Sequence, residues 1–332
     1  MKKLTAPALV LCLLALPISG CGSSSSSETS STGDVPEKVS SAMADRGATG
    51  QALANGWFGL LAATGSGTGT VTATPEEVRA GSKLVKPYLD LAFQLQRASG
   101  ERYLASNYVP TDIDRFKVSN VVVTKPREGV KVVRYVVRTP GATTPDSSTV
   151  LSSEASPRLT VFRWDEGSGH WMVVSHANFN TPVAAICDHK PVAVTKEKPD
   201  TSAEDVKTGE TLVNEWRDIT LGKTKKSVLD PANQIQLADG QGWPNPNGEK
   251  IKWSPAKAYE SKDIAITQND DLLVASYDAV VSDLAVEGST YGSEASPRLL
   301  TYSRNGQGDW KMIALANFTV PEKVPAGVKC VK

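Results

Sequence analysis

The sequence predicts an α+β protein made of two related domains in tandem, and three observations support this fold class. The heptapeptide SEASPRL at 153–159 recurs at 293–299, about 140 residues later. That spacing exceeds any solenoid repeat and indicates a duplicated domain. In each copy a helical pattern comes first, and strand-like segments follow it. Helices that precede a run of antiparallel strands are typical of the α+β class.

The helical pattern opens with a capping box in each copy, at 74–77 and at 201–204. Gly81 and Gly209 occupy the same place in the two patterns. Because a glycine inside a helix costs about 1 kcal/mol relative to alanine, its repetition predicts close approach of a sheet or second helix. The apolar residues at helical spacing are Val78, Val85, Tyr88, Leu91 and Leu95 in the first copy and Val206, Val213, Trp216 and Ile219 in the second.

Valine-rich and alternating segments predict the strands of each copy. The last two strands are expected to form a hairpin, with Gly, Asn and Asp residues in both connections. Each hairpin ends on a shared pattern, WMVVSHANF at 171–179 and WKMIALANF at 310–318. The predicted strands are 118–124, 131–139, 159–164 and 171–179 in the first copy and 263–267, 272–281, 299–304 and 310–318 in the second.

The first twenty residues predict an export signal. Lys2 and Lys3 precede a short apolar stretch at 9–16, which is too short to span about 30 Å of hydrocarbon. The run Ile18-Ser19-Gly20-Cys21 resembles the bacterial lipobox. That resemblance implies cleavage before Cys21 and lipidation of its sulfur. We therefore expect an exported chain, anchored by lipid to the cell membrane or the outer membrane and facing the periplasm or the exterior.

Composition shifts set the expected boundaries. The stretch at 22–33 is rich in Ser, Gly, Thr and Glu, which is typical of a flexible spacer. The expected segments are a signal peptide at 1–20, a Ser/Gly-rich tether and lead-in at 21–72, a first domain at 73–187, a linker at 188–199 and a second domain at 200–332.

Charge and cysteine content limit the classes of partner and cofactor that the chain is expected to bind. The formal net charge is zero and no Lys/Arg run appears, so nucleic acid is not expected as a partner. No pair of histidines and no cysteine cluster has metal-ligand spacing, and no cofactor is expected. Cys187 and Cys330 remain in the globular part. Export favours a disulfide between them, and two separate buried thiols are the alternative.

The hairpin ending resembles the nuclear-transport-factor-two-like superfamily, in particular its polyketide-cyclase-like branch. The residues that carry the resemblance are the Arg-Leu of each heptapeptide, the Gly-x-Trp of each hairpin and the closing Asn-Phe, over 73–185 and 200–325. The resemblance implies a curved sheet that wraps a long helix and leaves a cone-shaped pocket. Members commonly dimerise through the outer sheet face, so the two domains are expected to form an intramolecular pseudo-dimer.

In enzymes of this superfamily a tyrosine or an acid inside the cone moves a proton. The resemblance makes Tyr88 and Asp112 the weak catalytic candidates, Tyr88 on the predicted first helix and Asp112 as a general base. Trp216, the apparent counterpart of Tyr88, cannot do the same chemistry, but both residues are candidates for ligand contact in the pocket. The alternatives are a core aromatic for Tyr88 and a solvated loop position for Asp112.

Polar residues shared by both copies are the candidates for ligand contact. Arg158 and Arg298 open equivalent strands, and Glu154 stands four residues before Arg158. An ion pair on one strand face is the structural interpretation. The functional interpretation is an arginine that reaches into the cone and holds an anionic ligand. Asn178 and Asn317 either donate to a ligand or satisfy a backbone group at the strand end.

Three functions remain open. The sequence favours a tethered, non-catalytic envelope lipoprotein whose paired cones bind an envelope protein or a small apolar ligand, because no catalytic set is repeated. The second is an isomerase-, cyclase- or dehydratase-like enzyme acting on an apolar substrate in one cone. The third is a structural module of a secretion or transfer apparatus.

Overall fold

The computed structural model describes residues 37–64, 83–98, 100–108, 110, 113, 115–140, 142, 149–180, 182–185, 199–244, 251–286, 289–291 and 295–319. Cys21, Asp112, Cys187 and Cys330 lie outside the described residues. No described helix is both long and apolar enough to cross a membrane. We refer to 37–185 as the first half and to 199–319 as the second half.

Each half contains a six-stranded sheet, and the two sheets share one strand order. With the strands numbered in chain order, the orders from one edge of each sheet to the other are β2-β1-β7-β6-β4-β3 and β10-β9-β17-β16-β13-β12. The class is α+β as predicted, but the sheets are mixed, because β1 pairs parallel with β7 and β9 pairs parallel with β17. The strands of the first sheet are β1 (Leu89–Arg97), β2 (Arg102–Leu104), β3 (Lys117–Arg127), β4 (Val130–Arg138), β6 (Ser156–Asp165) and β7 (His170–Asn178).

The second sheet repeats this arrangement, and small strand groups accompany both sheets. Its strands are β9 (Leu229–Leu237), β10 (Gly242–Trp243), β12 (Ala258–Asn269), β13 (Leu272–Ser282), β16 (Ser296–Arg304) and β17 (Trp310–Asn317). The small groups are β5 (Thr149–Leu151) with β8 (Pro182–Ala185), and β11 (Trp253–Ser254) with β14 (Leu284–Val286) and β15 (Ser289–Tyr291).

The first half contains two helices that the sequence analysis did not predict. Helix α1 (Glu37–Ala44) leads into α2 (Gly50–Thr64), whose Trp57 and Leu60 are buried in the first core. The expected lead-in at 21–72 therefore contains the core helix of the first half. Its composition resembles a linker because it is rich in Gly and Ala.

Residues 83–85 of the predicted helix are helical, but its continuation through Leu95 is wrong, because Leu89–Arg97 is strand β1. Leu91 is 79% exposed, whereas Gln94 and Gln96 are buried. Apolar residues spaced by three or four positions misled the interpretation, since the buried positions of this strand include glutamines. The expected capping box at 74–77 and Gly81 lie outside the described residues.

The helix of the second half is confirmed as α3 (Ala203–Thr220). Its cap lies one residue later than expected, because the Ser202 hydroxyl accepts a hydrogen bond from the Asp205 backbone N–H at 3.1 Å. Close approach at Gly209 is also confirmed, since a Cβ there would lie 2.6 Å from the Ile266 side chain. A glycine leaves room for strand β12 to pack directly on the helix.

The structural counterpart of Gly209 is Gly50, not Gly81. A Cβ at Gly50 would lie 2.0 Å from Val123 on β3, the strand equivalent to β12. The two helices share the pattern G-x-x-L-x-N-x-W, at 50–57 and 209–216. The strands that follow share L-D-x-A-x-Q-x-Q, at 89–96 and 229–236. Trp57 is therefore the counterpart of Trp216, a relation that replaces the expected pairing of Trp216 with Tyr88.

Each sheet buries its inner face under its own helix and its outer face against the other sheet. The outer faces form one shared apolar cluster with members from both halves, including Val132, Leu159, Val274 and Leu299. The rings of Phe179 and Phe318 stack across it with centroids 4.2 Å apart.

Ion pairs surround this shared cluster. Arg163 bonds Asp90 at 2.7 Å within the first half and Asp270 of the second half at 3.0 Å. Arg127 contacts Asp271 of the second half at 2.5 Å. These pairs join the ends of the strands, so the two halves contact each other through apolar and charged groups alike.

Candidate ligand cavity

A cavity of about 100 Å³ lies in the second half, between α3 and the inner face of the sheet. Three residues that the sequence analysis chose as ligand candidates, Trp216, Arg298 and Asn317, lie in its wall. The other lining residues are Ile219, Thr220, Leu229, Ile235, Leu237, Ile251, Trp253, Tyr259, Val281, Leu284, Val286 and Leu315. Most of them are apolar, as is typical of small-molecule sites.

Helix and strand periodicity explain why these residues converge. Trp216 and Ile219 are three positions apart on α3 and so share its inner face. Ile235 and Leu237 alternate along β9 and point to the same side of the sheet. Trp253 on β11 lies at the surface, 40% exposed, and contributes to the cavity wall from there.

Trp243, the tryptophan that precedes Trp253 in the chain, is in a different environment. It is buried in the second core, where it pairs with Ile235 across β10 and β9. Of this pair only Trp253 is exposed.

Arg298 supplies the charge at the polar end of the cavity. Its side chain is 3% exposed, and its Nη1 donates to the Ser296 hydroxyl at 2.7 Å and to the Pro297 carbonyl at 2.8 Å. No carboxylate of the described residues forms an ion pair with it. Burial lowers the pKa of this guanidinium. A buried arginine without an acid partner is suited to a negatively charged ligand.

Two tyrosines stand beside this arginine. The hydroxyls of Tyr259 and Tyr277 are 2.7 Å apart, and the Tyr259 hydroxyl also interacts with Arg298. Burial raises the pKa of both phenols, so both stay protonated at neutral pH. Tyr259 lines the cavity and can offer a hydroxyl to a ligand there.

The two asparagines satisfy groups at the strand ends. The Asn178 side-chain oxygen accepts from the Asn180 backbone N–H at 2.9 Å. The Asn317 side-chain oxygen accepts from the Thr319 hydroxyl. Asn317 also faces the cavity directly across the strand pair from Arg298. The backbone interpretation therefore holds for the oxygen of Asn178, whereas the oxygen of Asn317 accepts from a side-chain hydroxyl.

The inner face of the first half is lined by its own aromatic rings. Trp57, Phe58, Tyr108 and Tyr135 are all buried there, and the rings of Phe58 and Phe116 are 5.7 Å apart. In the second half Arg217 stands at the place of Phe58. Its side chain points away from the core and donates hydrogen bonds to Asn214 and Asp218. Loss of that ring helps to explain why the cavity forms in the second half.

Arg158, the counterpart of Arg298, lies among these rings. It is 1% exposed, its Nη1 donates to the Ser156 hydroxyl at 2.7 Å, and its guanidinium carbon is 5.9 Å from the Phe58 ring. Burial lowers its pKa to about 9. The expected ion pair with Glu154 is wrong. Glu154 is exposed, whereas the Arg158 side chain is buried and points inward, away from Glu154.

Tyr88 does not point into a cone. It ends a short 3-10 turn (Lys86–Tyr88) and packs half-buried against the His170 ring, with centroids 4.7 Å apart. This place follows from the change of helix to strand at Leu89. The catalytic candidate Tyr88 is thus separated from Arg158 and from the cavity of the second half.

His176 forms a polar contact in the first core. Its Nδ1 is 2.8 Å from the Thr160 hydroxyl, which is 2.9 Å from the Tyr135 hydroxyl. Burial, with Arg158 and Arg97 nearby, lowers the pKa of His176 well below its usual value. Within the described part of the chain, no group of three or more His, Cys, Asp or Glu residues is placed to hold a metal ion.

No protein-family model and no curated protein matches the chain. Several solved structures have low similarity to it, and three of them are described as NTF2-like proteins. One, from Rhodospirillum rubrum, is described as an NTF2-like protein of unknown function in nutrient uptake; it is 16% identical, covers 29% of this chain and 81% of its own, and has a TM-score of 0.25.

Two further structures match very different fractions of this chain. An NTF2-like protein from Cytophaga hutchinsonii is 12% identical over 31% of this chain and 82% of its own, with a TM-score of 0.22. An NTF2-like protein involved in plasmid conjugation is 14% identical over 76% of this chain and 93% of its own, with a TM-score of 0.22.

Proposed function

We propose that this chain is a non-catalytic binding protein whose second half holds a small apolar ligand with an anionic group. The observation that carries the proposal is the cavity wall, in which buried Arg298 stands alone as a charge among apolar side chains. A buried cation without a carboxylate in an ion pair with it is costly, and an anionic ligand offsets that cost. The apolar wall then favours a hydrocarbon body.

The cavity size limits the ligand. A water molecule needs about 10–15 Å³ of such volume, so the cavity has room for roughly seven to ten water-sized groups. Benzoate and hexanoate are of this size and combine a carboxylate with an apolar body. In the proposed pose the carboxylate meets Arg298 and the Tyr259 hydroxyl, and the hydrocarbon lies against Trp216 and Leu315.

The lining also favours binding over catalysis. The polar side chains that the described residues place in the cavity are Arg298, Tyr259, Asn317 and Thr220. None of these is a carboxylate or an imidazole, the usual general bases for proton abstraction. Tyr259 is the one residue among them of a type that transfers protons, and burial raises its pKa, so it stays protonated and is not available as a base at neutral pH.

The proposal includes attachment to a membrane through Cys21. The supporting observation is the lipobox-like run at 18–21 followed by a Ser-rich stretch. Two or three acyl chains on one cysteine give stable anchoring, whereas one chain gives only marginal binding. A tethered binding protein would keep its ligand site close to the cell envelope.

Titration calorimetry on the purified full-length chain tests the ligand class. Hexanoate and benzoate are compared with hexanol and benzyl alcohol, which match them in apolar body but carry no charge. We expect the acids to bind at least tenfold more tightly than the alcohols. Equal binding of acids and alcohols, or no binding of either, would contradict the proposed ligand class.

Membrane attachment is tested separately by replacing the expected lipid site. In cells, we expect Cys21→Ser to move the chain from the membrane fraction to the soluble fraction and to abolish incorporation of labelled fatty acid. Cys12→Ser, a change within the expected signal peptide, is the matched control and should leave both readouts unchanged. Fatty-acid labelling that persists in Cys21→Ser would overturn the assignment.

A further inference from the structure

Three buried donors in the first half have no acceptor. Arg158 Nε, Trp57 Nε1 and the Tyr108 hydroxyl make no hydrogen bond to any described residue. Their side chains are exposed by no more than 2%. Buried donors in proteins are nearly always hydrogen-bonded, so three orphans in one region call for a physical explanation.

The three donors belong to one group of side chains. The Trp57 ring stacks on Tyr108 with centroids 6.1 Å apart, and it meets the His176 ring at 5.7 Å. Phe58 lies 6.1 Å from the same imidazole, and the Arg158 guanidinium lies 5.9 Å from Phe58. All of these residues lie close to His176, near the C-terminal end of β7.

This region also carries excess positive charge. Arg97 is buried and lies 3.6 Å from Glu101, whereas Arg158 has no carboxylate partner among the described residues. Burial lowers the pKa of Arg158 to about 9, so this guanidinium is still charged at neutral pH. Burial keeps His176 neutral. Among the described residues of the first half, no carboxylate compensates the charge of Arg158.

In the second half one more side chain contacts the equivalent arginine. There the Tyr259 phenol interacts with Arg298. The register of the strand pairs places Phe116 at the position of Tyr259, and a phenyl ring has no oxygen to offer. The first half thus keeps the arginine but lacks the acceptor beside it.

We infer that the first half binds a small monovalent anion of halide size at Arg158 Nε, with Trp57 Nε1 and the Tyr108 hydroxyl as further donors. A halide accepts from several donors and carries the charge that Arg158 lacks. A water molecule can accept from two donors, but it supplies no charge and brings two hydrogens that need acceptors of their own. This site is distinct from the cavity of the second half and does not depend on its ligand.

Crystals of the full chain grown with bromide, a halide with a strong anomalous signal, test the site directly. We expect an anomalous peak within hydrogen-bonding distance of Arg158 Nε. An ordered water at that position, or no density there, would overturn the inference. Arg158→Met is expected to lose the peak.

A solution measurement covers the case in which Arg158→Met fails to fold. Melting temperatures are compared in sodium chloride and in sodium gluconate of equal ionic strength, because an anion that binds only the folded state raises the melting temperature. We expect chloride to stabilise the natural chain specifically. Phe116→Tyr installs the acceptor that the second half uses, so it should lose most of the chloride-specific shift. A full chloride shift in Phe116→Tyr, or none in the natural chain, would contradict the inference.

Discussion

Gln94 and Gln234 occupy equivalent positions in the two halves, and each donates hydrogen bonds to strands of the opposite sheet. Gln94 Nε2 reaches the Val274 carbonyl and the Thr267 hydroxyl, both at 3.0 Å. Gln234 Nε2 reaches the Val132 carbonyl at 2.8 Å. The same glutamine contact is thus made twice between the halves, in the middle of an apolar surface.

Removal of one of these glutamines is expected to destabilise the whole chain. Gln94→Leu leaves the Ala265 and Val274 carbonyls and the Ser276 hydroxyl without their partner. Because each buried group left unsatisfied costs about 1–3 kcal/mol, we expect a loss of roughly 3 kcal/mol or more in the free energy of unfolding. Urea denaturation measures this loss.

The exposed Gln51 on α2 provides the control for this prediction. Gln51→Leu should change the free energy of unfolding by less than about 0.5 kcal/mol. If Gln94→Leu were equally mild, the polar contacts between the halves would not contribute to stability.

The close approach at Gly209 predicts a paired effect. Gly209→Ala places a methyl group 2.6 Å from Ile266, and we expect this overpacking to cost about 1–3 kcal/mol. Ile266→Ala opens a cavity and is destabilising alone. Together the two changes should be less harmful than their sum, since the new methyl group occupies part of the space that isoleucine leaves.

A double-mutant cycle in urea measures that coupling. Glu210→Ala, at an exposed position one residue along the same helix, is the control and should show no coupling to Ile266→Ala. Strictly additive effects for Gly209 and Ile266 would mean that the helix moves away from β12 instead of packing on it.

His176 predicts a pH dependence of stability. Its pKa in the folded chain lies well below the usual value of 6.5, because burial disfavours the charged form. Below pH 6.5 the unfolded chain binds a proton that the folded chain does not, so the free energy of unfolding falls as pH falls. The expected slope from this residue is about 1.4 kcal/mol per pH unit.

His176→Leu should remove this slope between pH 6.5 and pH 5. Leucine is the residue that the second half has at the equivalent position, Leu315, and Thr160 keeps its partner Tyr135. His170→Gln changes a half-buried histidine of the same half and serves as the control, in which the slope should persist. A slope that is unchanged in His176→Leu would show that other groups cause it.

The sequence alone predicted the second half better than the first. Helix α3, its approach to a strand and the convergence of Trp216, Arg298 and Asn317 followed from helical spacing and from the repeated heptapeptide. The first half was misread because α2 is rich in Gly and Ala and lies next to a Ser-rich stretch. The repeats G-x-x-L-x-N-x-W and L-D-x-A-x-Q-x-Q were available signals, and they would have placed α2 and β1 correctly.

What no local pattern could reveal was the environment of the two arginines. Arg158 and Arg298 lie in identical heptapeptides, yet one is surrounded by rings and the other borders a cavity. The difference arises from residues distant in sequence, Phe58 against Arg217 and Phe116 against Tyr259. Side chains on other elements determine the environment of each arginine, so the sequence of its own strand could not predict that environment.

The most direct test of the central claim is hexanoate binding by calorimetry in Arg298→Met, compared with Arg304→Met. Arg304 lies on the same strand, is exposed and stacks over Trp310 outside the cavity. We predict that Arg298→Met, shown to be folded by its melting curve, binds hexanoate at least tenfold more weakly than the natural chain, while Arg304→Met binds it within twofold. Unchanged binding in folded Arg298→Met would contradict the assignment of the ligand site to the second half.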